Sequence, residues 1–406
     1  MMPQEDRDHA RVSRTACLPC RRSKRRCDKK LSSCDLCIRK EIECRYPTKN
    51  ALESPSPSLQ NHGKIQMHAG YSIVQSYLTT FDDASAIFFI APQVFLQARL
   101  EFPRLDLPVP VDVVALIGKS ASIRSIASTF FETVHTWLPI VSKRVFFAQL
   151  LNPLARRETE LSLLALCMLL CSNIPPDQDR GNDAGKSVYQ VAKRYYFEVE
   201  AAGALSIHVL QALVLIAAYE VCQAIYPAAY FTVSACARYG TVLGIDKLGL
   251  DLMGASLGPL SWVEVEERRR VWWAILLLDR FINLGNPKIH LITENPTFDT
   301  YLPVDDGAWD DCTTTPEDAV HISAGFTLKM GIFSRAAQAT YLLSQALKSV
   351  SSRSNDQDSA TQIGETEQLR RTLLSLVHLA DTEATVRRLE FCTPSAICFR
   401  AILAKT

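Results

Sequence analysis

Six cysteines within 28 residues constrain this chain more than any other feature. Cys17, Cys20, Cys27, Cys34, Cys37 and Cys44 follow the pattern C-x2-C-x6-C-x6-C-x2-C-x6-C, so the unit Cys-x2-Cys-x6-Cys occurs twice, 17 residues apart. Two tetrahedral zinc ions need eight ligand positions, and six thiolates supply eight when two of them serve both metals. The repeat suggests Cys17 and Cys34, the first cysteine of each half, for the shared role. Cys20 and Cys27 then complete one site, and Cys37 and Cys44 the other. So short a segment, poor in large apolar side chains, takes its folding free energy from metal rather than from a core.

Three other readings of the cysteines compete with this one. A disulfide scaffold needs an oxidising compartment. Met1 is followed by a charged stretch without an apolar run, so no secretory leader is expected. A thioredoxin-like C-x-x-C belongs after a strand in a βαβ unit, and no such pattern is visible. Separate single-zinc sites want further ligands nearby, and His9 and His62 lie outside the unit. The binuclear cluster fits the spacing best.

Charge adds a second constraint. Residues 1–50 carry 14 Lys/Arg against 7 Asp/Glu, whereas the rest of the chain is mildly acidic. Between Cys20 and Cys27 stands Arg21-Arg22-Ser23-Lys24-Arg25-Arg26, five basic residues in six. Arg and Lys are good helix formers, so the run is expected to be a short helix pinned at both ends by ligands. A rigid basic helix can enter the major groove of double-stranded DNA, where Lys or Arg reads the guanine O6 and N7 acceptors. A solvated charged face or a nuclear localisation patch is the plainer reading of the same run.

At these residues the chain resembles the fungal Zn(II)2Cys6 binuclear zinc cluster transcription factors. Residues 16–30 (ACLPCRRSKRRCDKK) are similar to the first half of that module, and Cys44-Arg45-Tyr46 to its ending. Leu31-Ser32-Ser33 stands where the family often has proline, and Ser23 where a basic residue is common. The resemblance implies two zinc ions held by the six cysteines, CGG-like target triplets and RNA polymerase II type regulation in the nucleus. It places Lys24 at the family's base-contacting lysine and gives Arg21, Arg22, Arg25 and Arg26 phosphate or groove contacts. Lys29, Lys30, Arg39, Lys40 and Arg45 are read as further phosphate attraction, which positions without specifying.

The expected organisation is a disordered N-terminus (1–15), a zinc-stabilised DNA-binding module of two short helices and loops (16–47), a flexible linker (48–70) and a large all-α regulatory domain (71–406). The linker is rich in Ser and Pro and shows no sustained heptads, so the sequence leaves monomer and homodimer both open. In the large domain, apolar residues recur at helical spacing through roughly 159–172, 186–201, 205–224, 226–243, 261–285, 329–350 and 366–389. The apolar runs at 161–171 and 209–218 are too short to span a bilayer, and no membrane association is expected.

Ser261 and Glu264 form an S-x-x-E start for the helix over 261–285. Trp272 and Trp273 are expected in the core, with Asp279 and Arg280 paired to neighbouring helices. Residues 266–287 also resemble the regulatory middle domain of the same family, as do 130–146, 230–245 and 302–306. That domain implies control of activity, by a small-molecule effector or the transcription machinery, with no ligand legible. The acidic stretch 304–318 is expected to be a solvated loop. No nucleophile elbow, Walker, dinucleotide or H-E-x-x-H motif occurs, and Cys167, Cys171, Cys222 and Cys236 are read as core residues, so no enzyme is expected. The rival function is an interaction protein whose basic module binds protein, or nucleic acid without sequence preference.

Overall fold

Each half of the cysteine repeat starts a helix. In the computed structural model α1 (Leu18–Arg22) begins after Cys17 and α2 (Asp35–Arg39) after Cys34, both cysteines being extended N-cap residues. Pro19 sits in the first turn of α1, where its missing N–H costs nothing. The structure describes residues 15–23, 25–40, 42–45, 84–91, 107–152, 158–173, 183–248, 260–284, 291–324, 330–351 and 359–387. The chain divides into two compact units, Met1–Gln75 and Ser76–Thr406. The readings for residues 1–14, Lys24 and the linker at 48–70 lie outside the described residues.

The basic run is not one helix. α1 ends at Arg22, Ser23 caps it, and Arg25 and Arg26 follow in non-helical chain. The Ser23 hydroxyl donates to the Pro19 carbonyl at 2.8 Å and the Arg25 N–H to the Cys20 carbonyl at 2.9 Å. These bonds end the helix early and turn the chain so that Cys27 returns to the other cysteines.

Among its described residues the second unit is mostly helical. Its elements are α3 (Ala84–Ile90), α4 (Val111–Ile117), α5 (Ser120–Glu132), α6 (Lys143–Leu151), α7 (Glu158–Ser172), α8 (Asp183–Ala201), α9 (Ile207–Cys222), α10 (Ala228–Val242), α11 (Trp262–Ile282), α12 (Asp306–Asp310), α13 (Ile332–Ser351) and α14 (Ser359–Arg387). Among the described residues the extended pairing is one isolated antiparallel bridge, Tyr301 with His321. No helix among them is long and apolar enough to cross a membrane.

α9 is the axis of this unit. Every residue from Ile207 to Glu220 is buried, as a helix apolar on nearly all sides requires. It packs on α7, α8, α10 and α11, while α11 also meets α10 and α13.

α11 carries buried charge in successive turns. At its start Ser261 and Glu264 form the expected capping box, with the Ser261 N–H donating to the Glu264 carboxylate at 2.8 Å. Ser261→Ala is expected to cost about 1 kcal/mol in thermal denaturation of the helical unit; no measurable change would mean that packing alone starts this helix.

One turn on, Glu266 accepts from Arg269 and Arg270 and from the Val304 backbone N–H. The Arg270 guanidinium also reaches Asp306 (2.7 Å) and the Val304 carbonyl (2.8 Å), and lies 4.1 Å from the centroid of the Trp309 ring. Glu267 accepts from Ser142 N–H and from Gln211, which also donates to the Ile140 carbonyl. Further along, Asp279 and Arg280 bond one another and tie in Thr293, while Arg280 reaches Ser344 on α13.

Three expectations need correction here. Residues 304–318 are a solvated acidic loop only in part: 311–318 are exposed or half-buried as expected, but in α12 Trp309 is buried against Arg270 and Asp306 is that arginine's counter-ion. Carboxylates that neutralise a buried guanidinium are retained inside by that pairing. Of the four cysteines read as core, Cys167, Cys171 and Cys236 are buried with their thiols pushed up by desolvation, but Cys222 is exposed where α9 ends. The tryptophans divide: Trp273 is buried and donates to the Tyr301 carbonyl at 2.9 Å, whereas Trp272 is half-buried.

Candidate metal centre

The first unit brings all six repeat cysteines together. Cys17, Cys20, Cys34 and Cys37 are buried, with Cys27 and Cys44 half-buried around them. Their Sγ atoms form two groups of four, Cys17, Cys20, Cys27, Cys34 and Cys17, Cys34, Cys37, Cys44, each within 4.8 Å. The two groups share Cys17 and Cys34. Four sulfurs at 2.3 Å from a tetrahedral zinc are separated by ~3.8 Å along each edge. The observed separations are 3.6 Å for Cys17–Cys34, 3.7 Å for Cys17–Cys37, 3.6 Å for Cys20–Cys34 and 3.8 Å for Cys17–Cys27. A zinc tetrahedron fits both groups.

The backbone holds this arrangement. The Leu18 N–H donates to the Arg45 carbonyl at 2.8 Å, closing the module where it begins and ends. The Cys34 N–H donates to Cys44 Sγ at 3.2 Å, a bond that favours a sulfur carrying negative charge. Asp28, absent from the sequence reading, accepts from the Asp35 N–H at the start of α2, and Lys30 pairs with Asp35 at 2.8 Å. An acidic side chain near the positive end of a helix was the available signal for Asp28.

Electrostatics point the same way. Burial pushes the Cys17 and Cys20 thiols up, and Cys37 up to about 12. At Cys34 the same desolvation is outweighed by the Cys37 backbone N–H and by neighbouring thiols, which bring it down to about 6. Crowded thiols do not ionise together by themselves, and a dication among them removes that penalty.

Around the cluster, Arg21, Arg25 and Arg26 are exposed. Lys29 is half-buried with a positive φ of 64°, and Lys30 is exposed but held by Asp35. Arg22 lies in the last turn of α1. Arg45 is paired with Glu43, so its charge is partly spent within the module.

A module organised by six thiolates, carried with a separate large helical unit, defines a zinc-cluster regulator. The chain belongs to the fungal specific transcription factors: residues 127–384 match the fungal specific transcription factor domain, and residues 15–52 match the fungal Zn(2)-Cys(6) binuclear cluster domain. It is similar to transcription factor BOA15 of Botryotinia fuckeliana, 35% identical over 142 residues, which cover 35% of this chain and 76% of that protein. Transcription factor tazR of Aspergillus terreus is 25% identical over 223 residues, 54% of this chain and 35% of that protein. The azaphilone cluster-specific transcription factor azaR of Aspergillus niger is 24% identical over 343 residues, 81% and 67% of the two chains. The chain thus spans about a third of tazR and two thirds of azaR. No solved structure matches it. Membership makes the chain a transcription regulator with a zinc cofactor of two ions, and not an enzyme.

Proposed function

We propose that this chain is a zinc-dependent, sequence-specific DNA-binding regulator acting in the nucleus. In this reading Cys17 and Cys34 bridge the two zinc ions, Cys20 and Cys27 complete one site, and Cys37 and Cys44 the other. The carrying observation is that a run of five basic residues in six is tethered at both ends, by Cys20 and Cys27, to one four-sulfur group. Fixing a basic segment at two points lowers the ordering cost of docking it on a duplex. Lys24 reads a base of a CGG-like half-site, Arg21, Arg22, Arg25 and Arg26 grip phosphates or the groove edge, and Lys29 and Lys30 add long-range attraction. The helical unit controls when the bound protein acts.

Selection of sites from random duplexes, with zinc and after chelation, tests this reading. A zinc-dependent consensus built on CGG-like triplets is expected, and the number and spacing of triplets reports whether the protein binds as a monomer or a homodimer. Steep salt dependence without any consensus would leave only a generic polyanion binder. Lys24→Ala is expected to weaken binding to the selected site by about 1–3 kcal/mol while binding to random duplex changes much less. Equal loss on both, measured by titration at one salt concentration, removes the base-reading role.

A further inference from the structure

The helical unit contains a cleft lined by charges that the fold leaves unpaired. It measures about 520 Å3 and lies between α10, the short 3-10 helix Ile245–Lys247, α11 and the non-helical strap 292–301. That volume falls within the ~300–1,000 Å3 of small-molecule sites. The strap is fixed from behind. Buried Arg280 donates to the Glu294 carbonyl at 2.9 Å and to the Asn295 side-chain oxygen at 3.1 Å, and the Thr293 N–H donates to Asp279 at 3.0 Å. Further on, the Asp299 carbonyl accepts from His321 at 2.7 Å and the Tyr301 carbonyl from Trp273. A wall held along its length needs little ordering when a ligand arrives.

The facing wall is set by a glycine. A methyl group at Gly240 on α10 would stand 3.0 and 3.2 Å from two carbons of the Trp272 benzo ring, so the indole lies against the α10 backbone only because no side chain is there. Trp272, half-buried, then lines the cleft beside Leu276.

The charges sort by depth. Arg238, Lys247, Glu294 and Asp299 are exposed, whereas Asp246 is half-buried. Among the described residues none of these five forms a close ion pair. Burial pushes the Asp246 carboxyl up and Glu294 pushes it further, while its own backbone N–H and Lys247 pull the other way. The innermost charge is thus a carboxylate without a close counter-ion, near a second carboxylate, and a cation in the cleft relieves both penalties. Trp272 and Leu276 decide what kind of cation. A hydrated metal ion gains nothing from an indole ring, whereas an organic ammonium sets its charge on the carboxylates and its apolar body on the ring. The exposed cations Arg238 and Lys247 stand in solvent, where screening weakens them.

We propose that this cleft binds a small organic amine, its ammonium held by Asp246 and Glu294 and its apolar body by Trp272 and Leu276. As an effector site it rests on the proposed control of activity by the helical unit. The binding itself depends neither on that control nor on the zinc module.

The test offers the full-length, zinc-loaded protein three molecules of similar shape: 2-phenylethylamine, 2-phenylethanol and phenylacetate. Saturation-transfer NMR and calorimetry at low salt are expected to show the amine bound about tenfold more tightly than the alcohol, with phenylacetate weaker still. Asp246→Asn with Glu294→Gln is expected to bring the amine down about tenfold, to the level of the alcohol, with the thermal transition of the protein unchanged. Should that pair fail to fold, the exposed Glu294→Gln alone is expected to weaken the amine by a few fold. Arg238→Gln with Lys247→Gln removes like charge and is expected to tighten the amine by a few fold. Absence of amine binding, equal binding of amine and alcohol, or a preference for phenylacetate overturns the inference. So does amine binding indifferent to the carboxylate substitutions in a folded variant. Failure of the regulatory reading looks different: the amine would bind with these preferences while the output of a reporter driven by the selected site stays unchanged.

Discussion

Cys17→Ala or Cys34→Ala is expected to release both zinc ions and abolish site-specific DNA binding, whereas Cys44→Ala removes a ligand from one site alone. The difference follows from the shared edge: Cys17 and Cys34 belong to both four-sulfur groups, and each of the other cysteines to one. Structural zinc contributes on the order of 10–16 kcal/mol in comparable small modules, and among the described residues of this one the core consists of the sulfurs with Leu36 packed against them. Losing a bridging thiolate leaves two three-ligand sites that no longer share an edge. Zinc per chain, measured on the purified protein, should fall from two towards zero for Cys17→Ala and Cys34→Ala, and less far for Cys44→Ala. The helical unit has its own core, so its thermal transition should stay within a degree or two of the unaltered protein. A Cys17→Ala protein that keeps one tightly bound zinc would move the bridging role to another cysteine.

The cluster was legible in the sequence because metal chemistry is strict about spacing. Cys-x2-Cys at a helix start places two sulfurs on one side, and the repeat carries that geometry over unchanged. The basic run was read less well. Helix propensity favoured Arg21 through Arg26, but Cys27 must return to the metal, and that tertiary demand ends α1 at Arg22. Propensity is a weak prior wherever a fixed ligand competes with it.

In the large unit, the long helices α7 to α11, α13 and α14 follow from apolar periodicity, whose phase survives any detail of packing. The short elements α4, α6 and α12 fall below the length at which periodicity is informative. The burial of Trp309 within the acidic stretch is hidden from the sequence for a related reason. Composition records that Asp305, Asp306, Asp310 and Asp311 are charged, but not that Arg270, 36 residues away from Asp306, is buried and needs a counter-ion. The arginines before Trp272 and Trp273 likewise look like a basic surface patch in the sequence, yet Arg269 and Arg270 are inside. Buried charge is invisible to pattern reading because its partner is chosen by the fold.

Arg270→Ala is expected to be among the most damaging single changes in the helical unit. Arg269, Glu266, Arg270 and Asp306 form an alternating chain of charge, with Glu266 and Arg270 fully buried. Removing the Arg270 guanidinium leaves buried Glu266 to Arg269 as its remaining counter-ion, takes the cation from Asp306, opens the Val304 carbonyl, and empties the space beside Trp309. Breaking one partner of a buried ion pair costs about 3–5 kcal/mol, much of it the desolvation of the charge left behind. For a unit of this size that corresponds to a fall in melting temperature of about 10 °C. Arg270→Lys keeps the charge but not the fork. One ammonium cannot reproduce separate bonds to Glu266, Asp306 and Val304, so a loss of about 1–3 kcal/mol is expected to remain. Because α12 is anchored through Asp306 and Trp309, residues 304–310 should gain amide exchange in both variants before the α9 core does. A melting temperature within 2 °C of the unaltered protein for Arg270→Ala would show that water or Arg269 neutralises Glu266 unaided. The damage should also reach function by a route distinct from the cysteine variants: zinc content and binding to the selected site persist, while the regulatory output of the helical unit is lost.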